Sequence, residues 1–371
     1  MKLWVILGLC FLCSRLLAAD PLADATAKYL AGLPLAGTAL ESRGRDGAWT
    51  QHAVEFDKAW AQLEQRQLAK IRDWAPQFLG ESSEDDAPMF YMFSGPDFLY
   101  AHTFFPSART YILCGIEPVG ALPEIEKIPP PVLPFALGNL RKSLDSVLSW
   151  SFFITKNMKT DLNQTQLGGT LPVLYVFLAR GGCTIDSVEF VALDRNGGFT
   201  APGKGTTPGV KIAFHSDPAQ PQTLYYFASD LSDSGIEARP GFMKFCQAQG
   251  RGLSLVKAAS YLMHAGNFNR VRDFLLENSK VIVQDDSGIP YHFFRPNEWT
   301  IRYCGRYSGP IAVFQQYPQP DLAAVYAGIV SAPLGFAFGY QWQPATSSLI
   351  IARPRVALAL PPEEEPEEPD I

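Results

Sequence analysis

No metal-binding or nucleophile signature runs through this chain. Its 5 His show no HExxH or other paired spacing, and of its 6 Cys the four beyond residue 19 show no CxxC or CxH, so a zinc site has no support. GxSxG is missing, which removes the common esterase elbow, and DLSDSG lacks the DxDxDG spacing of a calcium loop. A basic excess is missing too. The 31 Lys and Arg face 37 Asp and Glu, for a net charge of −6, so nucleic acid is not an expected partner. Gly198 to Gly205, GFTAPGKG, comes near a phosphate loop. Gly205 stands where the metal-binding hydroxyl is needed, and a strand rather than a helix is expected next.

What is present begins with an apparent export leader, MKLWVILGLCFLCSRLLAAD. Lys2 precedes an apolar stretch from Leu3 to Cys13, and Ala18 and Ala19 supply small residues for cleavage. Cys10 and Cys13 each follow Leu, where a lipidation site calls for a small residue. The apolar stretch falls short of the ~20 residues of a spanning helix. Residues 1–19 are therefore expected to be a cleaved signal peptide, and the protein to be periplasmic or extracellular. A charge-free stretch from Leu322 to Ile351 is broken by Pro333 and by glycines. It reads as a short helix followed by a strand, so no transmembrane span is expected after the leader. The end, PPEEEPEEPDI, is acidic and has little to bury, which predicts a disordered tail over 357–371. Cys114, Cys183, Cys246 and Cys304 remain after the leader. They permit disulfides in three connectivities, or stay as buried thiols.

With 371 residues, 47% hydrophobic and 18% charged, the chain can bury a sizeable core. Over 20–80 an amphipathic stripe of Phe56, Trp60, Leu63, Ile71, Trp74 and Phe78 predicts a helical extension. Beyond it, apolar runs near 89–93, 111–116, 187–193, 210–214, 223–228 and 281–284 predict strands. Helical patterns fall near 139–153, 171–180, 242–249, 253–264 and 268–277. The expected class is α/β, with mixed sheet flanked by helices. FYMFSGPD and LYYFASD share offsets, as do LRKSLDSVL and LVKAASYLM. These pairs raise the alternative of two pseudo-repeated halves, 88–200 and 208–356, facing across a cleft.

The strongest lead is VIVQDDSGIPYHFF, where an apolar run stops at Asp285 and Asp286. Acids follow two other strands: Asp97 after FYMF, and Asp230 with Asp233 after LYYF. Loops at the carboxyl ends of strands are where α/β proteins hold ligands. Gathered there, Asp230, Asp233, Asp285 and Asp286 would supply acid–base pairs or bind a divalent cation. The plain alternative is that each caps a helix or a turn. Ser94 and Asp97, together with Tyr291, His292, Trp299 and Arg302, are the expected substrate contacts; aromatic rings and guanidinium suit a sugar or an anion. The alternative for 291–307 is a β-hairpin whose tyrosines cover the core edge.

The stretches FSGPDFLYA, CGIEPVG, SDLSDSGI and QDDSGIPYHFF resemble a group of exported bacterial proteins to which no activity is attached. The resemblance spans Pro88 to Tyr340 and implies a bacterial origin and one integrated fold. The expected function is hydrolysis of a glycan or other cell-envelope component through a carboxylate-lined cleft. The alternative is a non-catalytic periplasmic or envelope-associated binding protein.

Overall fold

The computed structural model describes residues 20–150, 152 and 166–355. The expected leader and acidic tail lie outside the described residues, as does the end of the helix expected at 139–153. Asp20 caps α1 (Pro21–Leu30), its carboxylate accepting the amides of Leu22 and Ala23. Asp46 likewise caps α2 (Gly47–Leu63), which continues through one wide turn, 64–68, into α3 (Ala69–Leu79). Phe56, Trp60, Leu63, Ile71 and Trp74 are buried along this rod, as the stripe predicts.

The remaining elements follow as β1 (Met89–Tyr91), α4 (Phe98–Phe104), β2 (Thr110–Gly115), α5 (Leu133–Trp150), α6 (Leu171–Arg180), β3 (Thr184–Leu193), β4 (Phe199–Thr200), β5 (Thr207–His215) and β6 (Pro221–Ala228). Then come α7 (Asp233–Ala238), α8 (Gly241–Ala248), β7 (Gly252–Val256), α9 (Asn269–Asn278), β8 (Ser279–Gln284), β9 (Trp299–Gly305), α10 (Pro320–Gly328) and β10 (Ser348–Pro354).

All ten strands join one mixed sheet in the order β4-β3-β5-β6-β2-β1-β7-β8-β10-β9. The five central strands β6, β2, β1, β7 and β8 run parallel. Antiparallel strands extend both edges. Side chains alternate between faces. Met89, Tyr91, Tyr111, Leu113, Leu253, Leu255, Val281 and Val283 enter one core with α1–α6. Phe90, Met92, Ile112, Cys114 and Ile282 enter a second core with α7–α10. The sheet is therefore α/β, buried on both sides by helices, as expected for parallel strands. Strands from 88–200 and 208–356 interleave, the β2–β1 pair lying between β6 and β7. The two stretches form one sheet.

Three local expectations change. The helix expected at 253–264 is β7 followed by a loop: the helix-like spacing of Leu255, Ala258, Ala259, Leu262 and Met263 outweighs the short alternation of Leu253 and Leu255 about Ser254, while the positive φ of Ala258, Ser260 and Tyr261 rules out a continuous helix. The hairpin raised as the alternative for 291–307 contributes only β9, whose partner is β10, from more than forty residues further on. Of the short helix and strand expected over 322–351, the helix is α10, but the strand begins only at Ser348, and Phe336 to Trp342 between them are not a strand. Phe336 and Phe338 instead drop from an irregular segment into the first core, and β10 follows later. Among the described residues no helix is long and apolar enough to cross a membrane.

Phe104 on α4 joins three parts of this architecture. Its ring lies 6.0 Å from Trp74 on α3, 6.1 Å from Phe336 and 5.6 Å from Phe338. Phe104→Ala should cost about 3–5 kcal/mol, read as a lowered urea midpoint at unchanged slope; a loss below about 1 kcal/mol would show that these layers are not packed as described.

Candidate functional site

From β1 the chain winds outward through α4 to β2 and on to β6, then crosses to the other side of β1 through α7 and α8 to β7. Neighbouring loops part where winding reverses, which leaves a crevice above the carboxyl ends of the strands. A cavity of about 280 Å³ occupies that place. It is lined by Tyr91 to Asp97 after β1, Cys114 to Glu117 after β2, Ser229 to Leu231 after β6 and Lys257 to Ser260 after β7. Phe152, Leu262, Phe268 and Tyr340 complete the lining.

The first turn is stitched to β2. The Gly95 amide donates to the Cys114 carbonyl at 3.0 Å, and the Cys114 amide donates to Ser94 Oγ at 3.2 Å. Gly95 takes φ 53°, a conformation glycine adopts without strain. Asp97 then caps α4, accepting the Tyr100 amide at 3.2 Å and the Tyr91 hydroxyl at 3.0 Å. The same carboxylate lies 3.0 Å from Lys257 Nζ, with the two side chains 2% and 1% exposed. The ammonium also sits 3.7 Å from the centre of the Tyr100 ring. Burial pulls the Lys257 pKa down, and Asp97 pulls it back up.

Glu117 is the second buried acid of the cavity, 3% exposed. Its carboxylate folds over the end of β2. A Cβ on Gly115 would lie 2.5 Å from Glu117 Oε2, so only glycine leaves room for it. Asp230, at the opposite rim, is exposed and accepts the Ser232 amide at 2.9 Å.

Beyond β7 the wall is strained. Ala258, Ser260 and Tyr261 have φ of 53°, 52° and 55°, which costs roughly 1–2 kcal/mol for each non-glycine residue. Asp285 and Asp286 hold it from behind. Asp285 Oδ1 accepts the Ala258 amide at 3.2 Å and the Ser287 hydroxyl at 2.7 Å, and Ser287 Oγ accepts the Ala259 amide at 2.8 Å. Asp286 accepts the Tyr261 hydroxyl. From the cavity side the Tyr340 hydroxyl donates to the Ala258 carbonyl at 2.8 Å and accepts the Ser260 amide at 3.1 Å. Burial raises the pKa of both carboxyls. Ser287, the Ala258 amide and Lys257 oppose the rise at Asp285, while at Asp286 the charge of Asp285 adds to it.

The residues singled out in the sequence thus have distinct places. Ser94, Asp97 and Asp230 line the cavity. Asp233 instead caps α9, accepting the amides of Asn269 and Arg270 at 3.3 and 2.9 Å. Asp285 and Asp286 stand behind the wall, beside a cavity of about 10 Å³ that also touches Tyr291, room for a water at most. Tyr291 meets the Tyr303 hydroxyl at 2.7 Å, His292 packs on Phe293, Trp299 is buried against Phe294, and Arg302 stacks on Phe78 at 4.2 Å. None of these four lines the switch-point cavity. The ends of β6 and β8, which carry Asp230 and Asp285, are four strand spacings apart, roughly 19 Å. A carboxylate pair sharing one reacting centre needs separations below about 9.5 Å. Among the described residues no group of three or more His, Cys, Asp or Glu is placed to hold a metal. The four cysteines are free and buried.

Glu117 and Lys257 were missed in the sequence. Glu117 carried a signal: it follows Gly95 by twenty-two residues across a strand–turn–helix–strand, the spacing of the acid that binds ribose in doubly wound folds. Lys257 carried only its position at the end of an apolar run. Comparison of the chain with protein-family models, curated proteins and solved structures finds no match.

Two outcomes follow from these contacts. Lys257→Met leaves the Asp97 charge buried without its cation and should cost about 3–5 kcal/mol; Lys257→Met with Asp97→Asn should recover part of that loss in urea unfolding. The Asp285–Asp286 pair titrates above the ordinary carboxyl range, so its contribution to stability is full below about pH 4. It is lost as the pH rises through the raised values. Asp286→Asn should flatten the decline in urea midpoint between about pH 5 and about pH 8; a parallel decline in both proteins would show that the pair is not its source.

Proposed function

We propose that the switch-point cavity binds a nucleoside-class small molecule whose ribose hydroxyls lie on Glu117. The observation that carries this reading is the buried Glu117 carboxylate, at the end of the second parallel strand and facing the glycine turn of the first. A carboxylate there accepts paired hydroxyls, and the apolar walls Ile116 and Leu231 suit a base.

The same turn argues against a phosphate. A dinucleotide site presents free helix amides and several glycines to a pyrophosphate. FSGPDF has a single glycine, and α4 has its cap filled by the Asp97 carboxylate. Asp97 is balanced by Lys257, so the turn brings no uncompensated cation to an anionic group. A ligand without phosphates is favoured over one that carries them.

The sheet order supports a more specific member of that class. Numbered along the chain, the central parallel strands lie 3-2-1-4-5, and β10 inserts antiparallel between β8 and β9 at one end. S-adenosylmethionine-dependent methyltransferases are built on this order, an analogy of fold alone. S-adenosylmethionine is a phosphate-free nucleoside with a sulfonium tail, and with it bound the chemistry on offer would be methyl transfer. Glycan hydrolysis has less support, because Asp233, Asp285 and Asp286 are engaged in caps and in the wall. The export leader read from residues 1–19 favours a second reading, in which the same cavity serves a non-catalytic binding protein of the bacterial periplasm.

Isothermal titration of the folded chain with S-adenosylmethionine, S-adenosylhomocysteine, adenosine and NAD tests the reading. The first two should bind and NAD should not. Glu117→Ala should weaken binding roughly ten- to hundredfold without changing the circular dichroism. Binding of none of the nucleosides, or equal affinity in Glu117→Ala, would overturn it.

A further inference from the structure

Asp285 and Asp286 touch no ligand space, yet between them they fix the wall that bounds the cavity on the β7 side. Three non-glycine residues at positive φ persist only where their surroundings over-determine them. Here the holding groups come from the loop after β8 on one side and from Tyr340 on the other. Gly339, at φ 64°, has no room for a Cβ, which would overlap the Asp285 carboxylate. Glycine at 339 therefore lets the 339–340 segment close directly against the Asp285 side chain.

We propose that Asp285 and Asp286 are positioning residues for the ligand cavity: they hold the 258–261 wall in shape while one of them is protonated, and release it when both are ionised. This inference rests on the nucleoside-site reading for its ligand, but not for its geometry. Two adjacent buried carboxylates repel each other, and one bound proton removes most of that repulsion. With the second ionisation, moving the wall outward to admit water becomes the easier way to relieve both charges.

The groups facing the pair set this balance. Lys257 is a cation acting on Asp285, and it is already paired with Asp97. Tyr91 and Tyr340 also face Asp285, while Tyr261, Tyr307 and Tyr326 face Asp286. All of these phenols are pushed above their ordinary pKa, first of all by burial, and stay neutral across the range that matters. His264 lies against the backbone of Asp286 and Gly288, and burial lowers it to about 4, so it brings no compensating charge near neutrality. The carboxyl pair, raised by burial, is the acidic part of this cluster.

Two measurements test the proposal, one of which needs no ligand. Amide hydrogen exchange over 256–262, corrected for intrinsic rates, should show protection of Ala258 and Ala259 at about pH 6 and its loss at about pH 8.5. In Asp286→Asn, protection should persist at both. S-adenosylhomocysteine affinity should fall roughly five- to tenfold over the same interval in the native chain and stay level in Asp286→Asn. Unchanged corrected protection in the native chain, or the same loss in Asp286→Asn, overturns the positioning role. Absence of S-adenosylhomocysteine binding with the exchange pattern intact overturns the nucleoside reading alone. Melting of each protein at both pH values ensures that exchange is compared between folded states.

Discussion

Lys257 and Asp97 meet at the point where the chain reverses its direction of winding, and the cavity depends on that meeting. One comes from the end of β7, the other from the cap of α4, and β1 lies between them. Each charge alone would be costly to bury. Together, with the Tyr91 hydroxyl and the Tyr100 ring around them, they close the floor of the crevice and link the two directions of winding. Such a pair adds little net stability over apolar packing, but removing one member is severe. Its effect is to specify which loop faces which.

The sheet supplies the rigid base. Residues that alternate along β1, β2, β7 and β8 divide between two apolar cores, so the strand ends cannot shift by one residue without exchanging their faces. On that base the loops depart from regular structure in graded fashion. Gly95 turns at positive φ, and Gly115 leaves the space a Cβ would take, so that Glu117 comes close. Ala258, Ser260 and Tyr261 lack that freedom and depend on hydrogen bonds from Asp285, Asp286, Ser287 and Tyr340. The doubled acid of VIVQDDSG thus serves the cavity from behind, as a brace.

Much of the fold was legible in the residues themselves. The Phe56 to Trp74 stripe and the strands near 111–116, 210–214, 223–228 and 281–284 follow from short-range periodicity, which reports burial directly. Asp97 and Ser94 were found because strand–turn–helix chemistry is local. The helix expected at 253–264 failed because the alternation of Leu253 and Leu255 about Ser254 is only a few residues long and runs straight into the helix-like spacing of Ala258, Ala259, Leu262 and Met263, which belong to a loop. The proposed grouping of Asp230 with Asp285 failed for another reason: each does follow a strand, but strand succession in the chain says nothing of strand adjacency in the sheet.

The sequence by itself determined an α/β chain with an amphipathic helical start and acids at several strand ends, because periodicity and turn chemistry act over a few residues. Only the tertiary structure decided that β7 and β2 flank β1, that Lys257 answers Asp97 across 160 positions, and that Glu117 rather than Asp285 faces the cavity. Those outcomes depend on sheet order, which is set by the summed packing of two cores on opposite faces and is written in no single stretch of residues.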